Sequence, residues 1–253
     1  MLNQTYEWAP YHWGFHVGLN FMDYSLGMKE GYQTMLLDGN HIDGQFPNNS
    51  TPVSDELRDT YRILNVESRR ITRNPGFSVG LVGDLRLSEH FNFRLVPTFS
   101  INWKRVFYDV VLYDADQHPL TFKGDSIFRI ESIDNLACYV ELPVHIKYRS
   151  KRYNNFGSYI FAGVNPKLYL VNKNNQANGG TPLYLAPKRG DFAIEFGSGF
   201  DFYNQWFKMG VELKMSLGLI NLLKGDENTK DFLFEVPLES LRSKQLQLVL
   251  TIE

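Results

Sequence analysis

Residues Phe207 to Leu219 read FKMGVELKMSLGL and alternate without a break. The odd positions are bulky and apolar: Phe207, Met209, Val211, Leu213, Met215, Leu217 and Leu219. The even positions are charged, small or polar: Lys208, Gly210, Glu212, Lys214, Ser216 and Gly218. In a chain that is 43% apolar, chance gives such a run in about one window in ten thousand, so the period of two specifies a strand. The run is also long. Globular strands average about five or six residues, whereas about nine to eleven tilted residues carry a barrel strand across a bilayer.

The same alternation recurs along the chain. It predicts strands near 12–26, 75–87, 91–108, 134–149, 158–171, 191–202, 207–220 and 243–252, all in one domain over 1–253. Eight is even, as an up-and-down outer-membrane barrel requires. No stretch approaches 18 consecutive apolar residues, so a spanning helix is excluded. The start, MLNQTYEWAP, lacks the basic and apolar regions of a signal peptide, so either the chain is not exported or Met1 stands on a mature form. A net charge of -2 gives no general attraction to nucleic acid. The one cysteine, Cys138, allows no intrachain disulfide.

Connections alternate in length. Short links near 88–90, 150–156 and 203–206 take turns with long ones over 27–74, 109–133, 172–190 and 221–239. Transmembrane barrels sort their loops this way, with short periplasmic turns and long extracellular loops. Aromatics gather at the strand ends. Tyr11, Trp13, Tyr148, Tyr153, Phe156, Tyr203 and Trp206 lie toward the short turns, and Trp103, Phe107 and Tyr108 toward the other rim, as in an interfacial girdle. Within the first long loop, Ser54 is placed to begin a short helix, or YRILNVESRRI to extend the second strand beyond the membrane. A loop of that length can cover the barrel mouth or bind a neighbour.

Volume decides which face is outside. An eight-stranded barrel has an interior that side chains just fill. Six or seven Phe, Leu, Met or Trp from each strand would overfill it, while the glycine-rich polar set fits. The bulky set therefore faces lipid, and closure leaves no backbone group bare in hydrocarbon. The polar face becomes a lumen in which Asp84, Glu141, Glu195, Asp201 and Glu212 meet Arg86, Arg94, Lys104, Lys147, Lys167, Lys208 and Lys214. Buried charges persist when paired, so the expectation is a plugged interior and not a pore. Pro97, Pro143 and Pro166 fall inside three successive strands. Proline is confined to edges or bulges, which predicts a line of bulges along that wall.

Other constellations carry little chemistry. His145 and Glu141, like His12 and His16, share a face four residues apart, about 13 Å along a strand and too far for a catalytic pair or a metal site. GSGFDF (Gly197 to Phe202) has a phosphate-loop look but no helix follows it. Cys138 is on the apolar face, where a thiolate would be desolvated. No catalytic, cofactor or metal residue is assigned, and no small-molecule substrate is expected. The turn KYRSKRYNN offers Arg149, Lys151 and Arg152 as a periplasmic contact for an acidic partner.

Several stretches resemble the PorT family of Bacteroidetes outer-membrane barrels, tied to the type IX secretion system: HWGFHVGLNFMDYSL, PGFSVGLVGDLRLSEHFNFRLVPTFS, YVELPVHIKYRSKRYNN and GSGFDFYNQWFKMGVELKMSLGLINLL. The resemblance covers all the strands in order and fails mainly in the long loops. Arg86, Arg94, Glu141, Pro143, Lys147, Arg152, Asp201, Lys208, Glu212 and Lys214 match the family's recurrent polar positions. It implies an integral barrel in the outer membrane of a Gram-negative bacterium, surrounded by lipid and by protein partners of a secretion complex. It implies no catalytic residue. A general structural or adhesive barrel, binding ligands through its loops, is the alternative expectation. A lipid-modifying enzyme would need a nucleophile and base together at one rim, and no such pair is evident.

Overall fold

A computed structural model describes residues 9–31, 36–37, 61–67, 75–104, 107–112, 127–131, 135–170, 187–223 and 237–253. Its described elements are all strands: β1 (Tyr11–Met28), β2 (Leu36–Leu37), β3 (Tyr61–Glu67), β4 (Gly76–Arg86), β5 (Phe91–Leu95), β6 (Thr98–Lys104) and β7 (Phe107–Leu112). There follow β8 (Ile127–Glu131), β9 (Asn135–Glu141), β10 (Val144–Arg149), β11 (Phe156–Leu170), β12 (Gly190–Tyr203), β13 (Lys208–Gly218) and β14 (Leu238–Ile252). The larger sheet runs β1-β14-β13-β12-β11-β10-β5-β4, and β4 pairs with β1 to close it. β6 continues the line of β5, and β9 precedes β10 on one stave, so the wall has eight antiparallel staves. This is the expected all-β up-and-down barrel.

The strands form for the reason given by their period. Outward positions on β1 are Tyr11, Trp13, Phe15, Val17 and Leu19, while His16, Gly18 and Asn20 between them are buried. β13 keeps the phase foreseen for FKMGVELKMSLGL: Lys208, Glu212, Lys214 and Ser216 are buried, and Leu213 is 53% exposed. Exposed leucines, phenylalanines and tryptophans and buried lysines invert a water-soluble fold, and hydrocarbon outside is the solvent that suits them. Among the described residues no helix is long and apolar enough to cross a membrane.

Three expectations are corrected. The links over 27–74 and 109–133 hold strands of their own. β2, β3, β7 and β8 form a second, four-stranded sheet in that order, and YRILNVE is indeed strand. Ser54 lies outside the described residues. Tyr203 does not join the girdle: it is 6% exposed and faces the lumen, whereas Trp13 (77%), Tyr153 (78%) and Trp206 (83%) stand out from the short-turn rim.

The third correction is the prolines. Leu95 faces Gly83 before the break at Pro97, and Thr98 faces Gly80 after it, so the register does not slip. Leu95 and Thr98 face Val144 and Glu141 across the next seam, and Val164 and Lys167 face the same two residues from β11. Pro166 pairs with Phe192 in an unbroken ladder. There is no bulge at any of the three. Each proline instead keeps its acceptor: Leu81 N–H donates to Pro97 O (3.0 Å), Val96 N–H to Pro143 O (2.9 Å) and Leu142 N–H to Pro166 O (3.0 Å). In an antiparallel ladder these would be two-bond pairs, and proline removes one bond of the two. Val96 O, facing Pro143, takes the Thr98 hydroxyl at 2.8 Å as its donor.

Candidate functional site

The lumen is filled in layers. Nearest the short turns, Arg94 is 1% exposed. Its Nη1 donates to Glu212 Oε1, and its Nη2 reaches Glu253 Oε1 at 3.3 Å. Tyr159 donates its hydroxyl to the same Glu212 oxygen at 2.7 Å. Lys208 Nζ lies 2.5 Å from Glu253 Oε2 and 3.9 Å from Asp201 Oδ2. Lys147 Nζ donates to Asp201 Oδ2 at 3.0 Å and sits 3.5 Å above the Tyr159 ring.

In the middle layer His145 Nε2 is 2.8 Å from Glu195 Oε2, and Lys214 Nζ is 3.4 Å from that oxygen. Asn165 Nδ2 donates to Glu195 Oε1 and to Glu141 Oε2, both at 2.7 Å. Lys167 Nζ is 3.7 Å from Glu141 Oε2 and donates to Gln245 at 2.8 Å. His145 and Glu141, separated along one strand, are thus linked through β11 and β12. His16 Nε2 lies 2.9 Å from the Thr98 hydroxyl. That hydroxyl gives its hydrogen to Val96 O, so the imidazole nitrogen is the donor.

Toward the long loops the filling turns apolar. Met22, Ala137 and Tyr139 pack together with Tyr169 against them, the two tyrosine rings 5.2 Å apart. Leu222, Leu238 and Leu241 are buried nearby along the same end. Seven carboxylates (Asp84, Glu141, Asp191, Glu195, Asp201, Glu212, Glu253) therefore share the described interior with five Lys or Arg and two His. Asp84 and Asp191 take neutral donors, Asn92 at 2.5 Å and the Ser243 hydroxyl. This satisfies burial without an open path: a buried charge needs a partner or a hydrogen bond, not necessarily an ion.

Ten of the twelve lumen residues named from the sequence lie in this interior, and the side chain of Lys104 lies outside the described residues. Arg86 is not in the interior: it sits half-exposed at the short-turn rim, its Nε donating to Ser88 O at 3.3 Å. Arg149 and Arg152 are also half-exposed rim residues, and Lys151 is exposed. Sequence reading missed Glu253, Asp191 and Tyr159, which share the inward parity of Thr251, Glu195 and Lys167; that parity was the available signal. Among the described residues no three His, Cys, Asp or Glu are grouped so as to hold a metal ion.

A closed eight-stave wall with lipid-type residues outside and paired charges inside agrees with the comparison to known families, where residues 4–224 match the outer membrane protein beta-barrel domain. The chain belongs to that family. It is an integral outer-membrane protein of Gram-negative type, and its short turns face the periplasm. No curated protein matches it. Among solved structures it is similar to the outer membrane protein OprG from Pseudomonas aeruginosa, at 11% identity, TM-score 0.35, over 94% of this chain and 93% of that one. It is also similar to Ail, the attachment invasion locus protein of Yersinia pestis, solved with the heparin analogue sucrose octasulfate. That likeness has 9% identity and TM-score 0.33, over 95% and 96% of the two chains. The family match carries the identification, and these two pairings only accompany it.

Proposed function

We propose that this barrel is a non-enzymatic component or accessory of the type IX secretion machinery, working by binding partners. The filled lumen is the observation that carries the mode of action. With Arg94, Lys147, Lys167, Lys208 and Lys214 each engaged by carboxylates across the interior, cargo has no route through the barrel, and any part in export must be played by its rims. The PorT resemblance in PGFSVGLVGDLRLSEHFNFRLVPTFS and YVELPVHIKYRSKRYNN supplies the choice of machinery. Deleting the gene should abolish secretion of type IX cargo while membrane integrity holds; leaky membranes with normal secretion would contradict the reading. Purified barrel in planar bilayers should carry no steady ion current.

A second reading is a structural or adhesive barrel that binds ligands through its outer loops. The four-stranded sheet β2-β3-β7-β8, built from the connections on the long-loop side, favours it, since it offers an ordered surface beyond the wall. Deletion would then change adhesion and leave secretion intact.

A further inference from the structure

Arg242 and Lys244 stand apart from the other cations of the wall. Among the described residues they are the two that occupy outward positions on a wall strand, and both are exposed. Below them on the same face of β14 come Leu246, Leu248, Leu250 and Ile252. On a strand tilted by about 40°, Lys244 stands roughly 20 Å above Ile252 and Arg242 roughly 25 Å. The apolar band of such a barrel is about 25 Å tall, so the pair stands at the height of outer-leaflet headgroups. Two residues apart on one face, they have Cα atoms about 7 Å apart, near enough to share one anion. Asp23 faces Lys244 across the ladder, yet its Oδ1 accepts the Tyr24 N–H at 2.8 Å. Glu239 is exposed three residues before Arg242. Among the described residues no side-chain ion pair or hydrogen bond engages either cation.

An apolar groove of about 660 Å³ begins at Leu246, two residues below Lys244 on the same face. It crosses the outer wall through Met215 and over a floor of small residues, Ala162, Gly197 and Ser198, to Tyr148. The ladder from Leu246 through Met215, Phe196 and Ala162 to Ile146 traces its course. Six residues separate Leu246 from the end of β14 at Ile252, and three separate Ile146 from the end of β10 at Arg149. The groove therefore descends from the outer side of the membrane toward the periplasmic side. We infer that Arg242, Lys244 and this groove bind a phosphorylated lipid of the outer leaflet, its phosphate on the cations and one acyl chain along the trough. A guanidinium fork takes two phosphate oxygens and a lysine adds a point charge. The chain gains contact atoms in a trough that a convex wall does not offer. A protein neighbour would fill the groove without needing the cations above it, and a soluble anion would use the cations without the groove. The inference goes beyond the secretion reading and does not depend on it.

The test uses the full chain in detergent micelles, with bis-phosphorylated lipid A as probe and native mass spectrometry as readout. The parent should bind one lipid A. Arg242→Gln/Lys244→Gln should weaken that binding by about tenfold, at roughly threefold per exposed charge contact. Lipid A stripped of both phosphates should bind the parent no better than the intact lipid binds this variant. Ala162→Phe/Ser198→Phe fills the groove from the outer face and should also weaken binding severalfold. Arg149→Gln/Lys151→Gln, at the short-turn rim, should bind as the parent does. Equal binding by the Arg242/Lys244 variant or by the stripped lipid would overturn the inference. So would unchanged binding by the groove-filling variant, or full displacement of lipid A by inorganic phosphate, which would mean a site for the free anion. A dimer of the barrel that forms without lipid and is lost on filling the groove would give the trough to a second copy and contradict the lipid. If a variant fails to fold, the intact and stripped lipids compared on the parent decide.

Discussion

Arg94 shows what a charge in this interior requires. It is buried, and two carboxylates from β13 and the end of β14 hold it. Removing one member of a buried pair costs about 3–5 kcal/mol because the other is left uncompensated, whereas an apolar replacement of both is close to neutral. Arg94→Met should therefore destabilise the barrel by that amount in urea titrations of the vesicle-inserted protein, and Arg94→Met/Glu212→Met should recover most of the loss. Equal losses would mean the pair adds nothing beyond its volume. Glycines act at the same scale. A Cβ on Gly163 would stand 1.9 Å from Val144 O and 2.8 Å from His145 Cα, both backbone atoms that cannot step aside, while one on Gly190 meets nothing within 4 Å. Gly163→Ala should cost about 1–3 kcal/mol by overpacking, and Gly190→Ala should stay within about 0.5 kcal/mol. Reversed values would show that the strands approach elsewhere.

The strand scale is where sequence reasoning and structure part most clearly. Which residues face lipid was legible because the period of two persists across each stave and the bulky set exceeds the room inside. The proline line was legible in place and wrong in form. A ladder residue turns its N–H and C=O to the same neighbour, so proline deletes one bond and need not shift the register. Thr98 covers the carbonyl that Pro143 leaves, and this follows only from the paired structure. Pro143→Ala restores a donor opposite Val96 O, so it should make the loss of that hydroxyl cheaper. Thr98→Val alone should cost about 1–3 kcal/mol, as expected for an orphaned buried acceptor, and less by about 1 kcal/mol when combined with Pro143→Ala. A cycle with no coupling would place the Thr98 hydroxyl elsewhere. Strands β3, β7 and β8 were not foreseen as a sheet because their pairing is between chain segments far apart, which a local period does not encode.

At the scale of the whole molecule, the sequence yields the sorting of residues by face, and closure of the wall yields their partners. His145 finds Glu195, fifty residues on, because barrel diameter and stagger bring β10 and β12 together across β11. Neither quantity is written in any one strand. At the short-turn end the inward parity runs out of the wall, so that Arg86, expected in the lumen, sits half-exposed at the rim. All of this depends on hydrocarbon lying against the bulky face. Single-cysteine variants at each position from 209 to 217, made on a Cys138→Ala background, spin-labelled and placed in bilayers, test that dependence most directly. Labels at 209, 211, 213, 215 and 217 should relax with dissolved oxygen from the lipid, and those at 210, 212, 214 and 216 should be shielded from it. The opposite phase, or no alternation at all, would contradict the account.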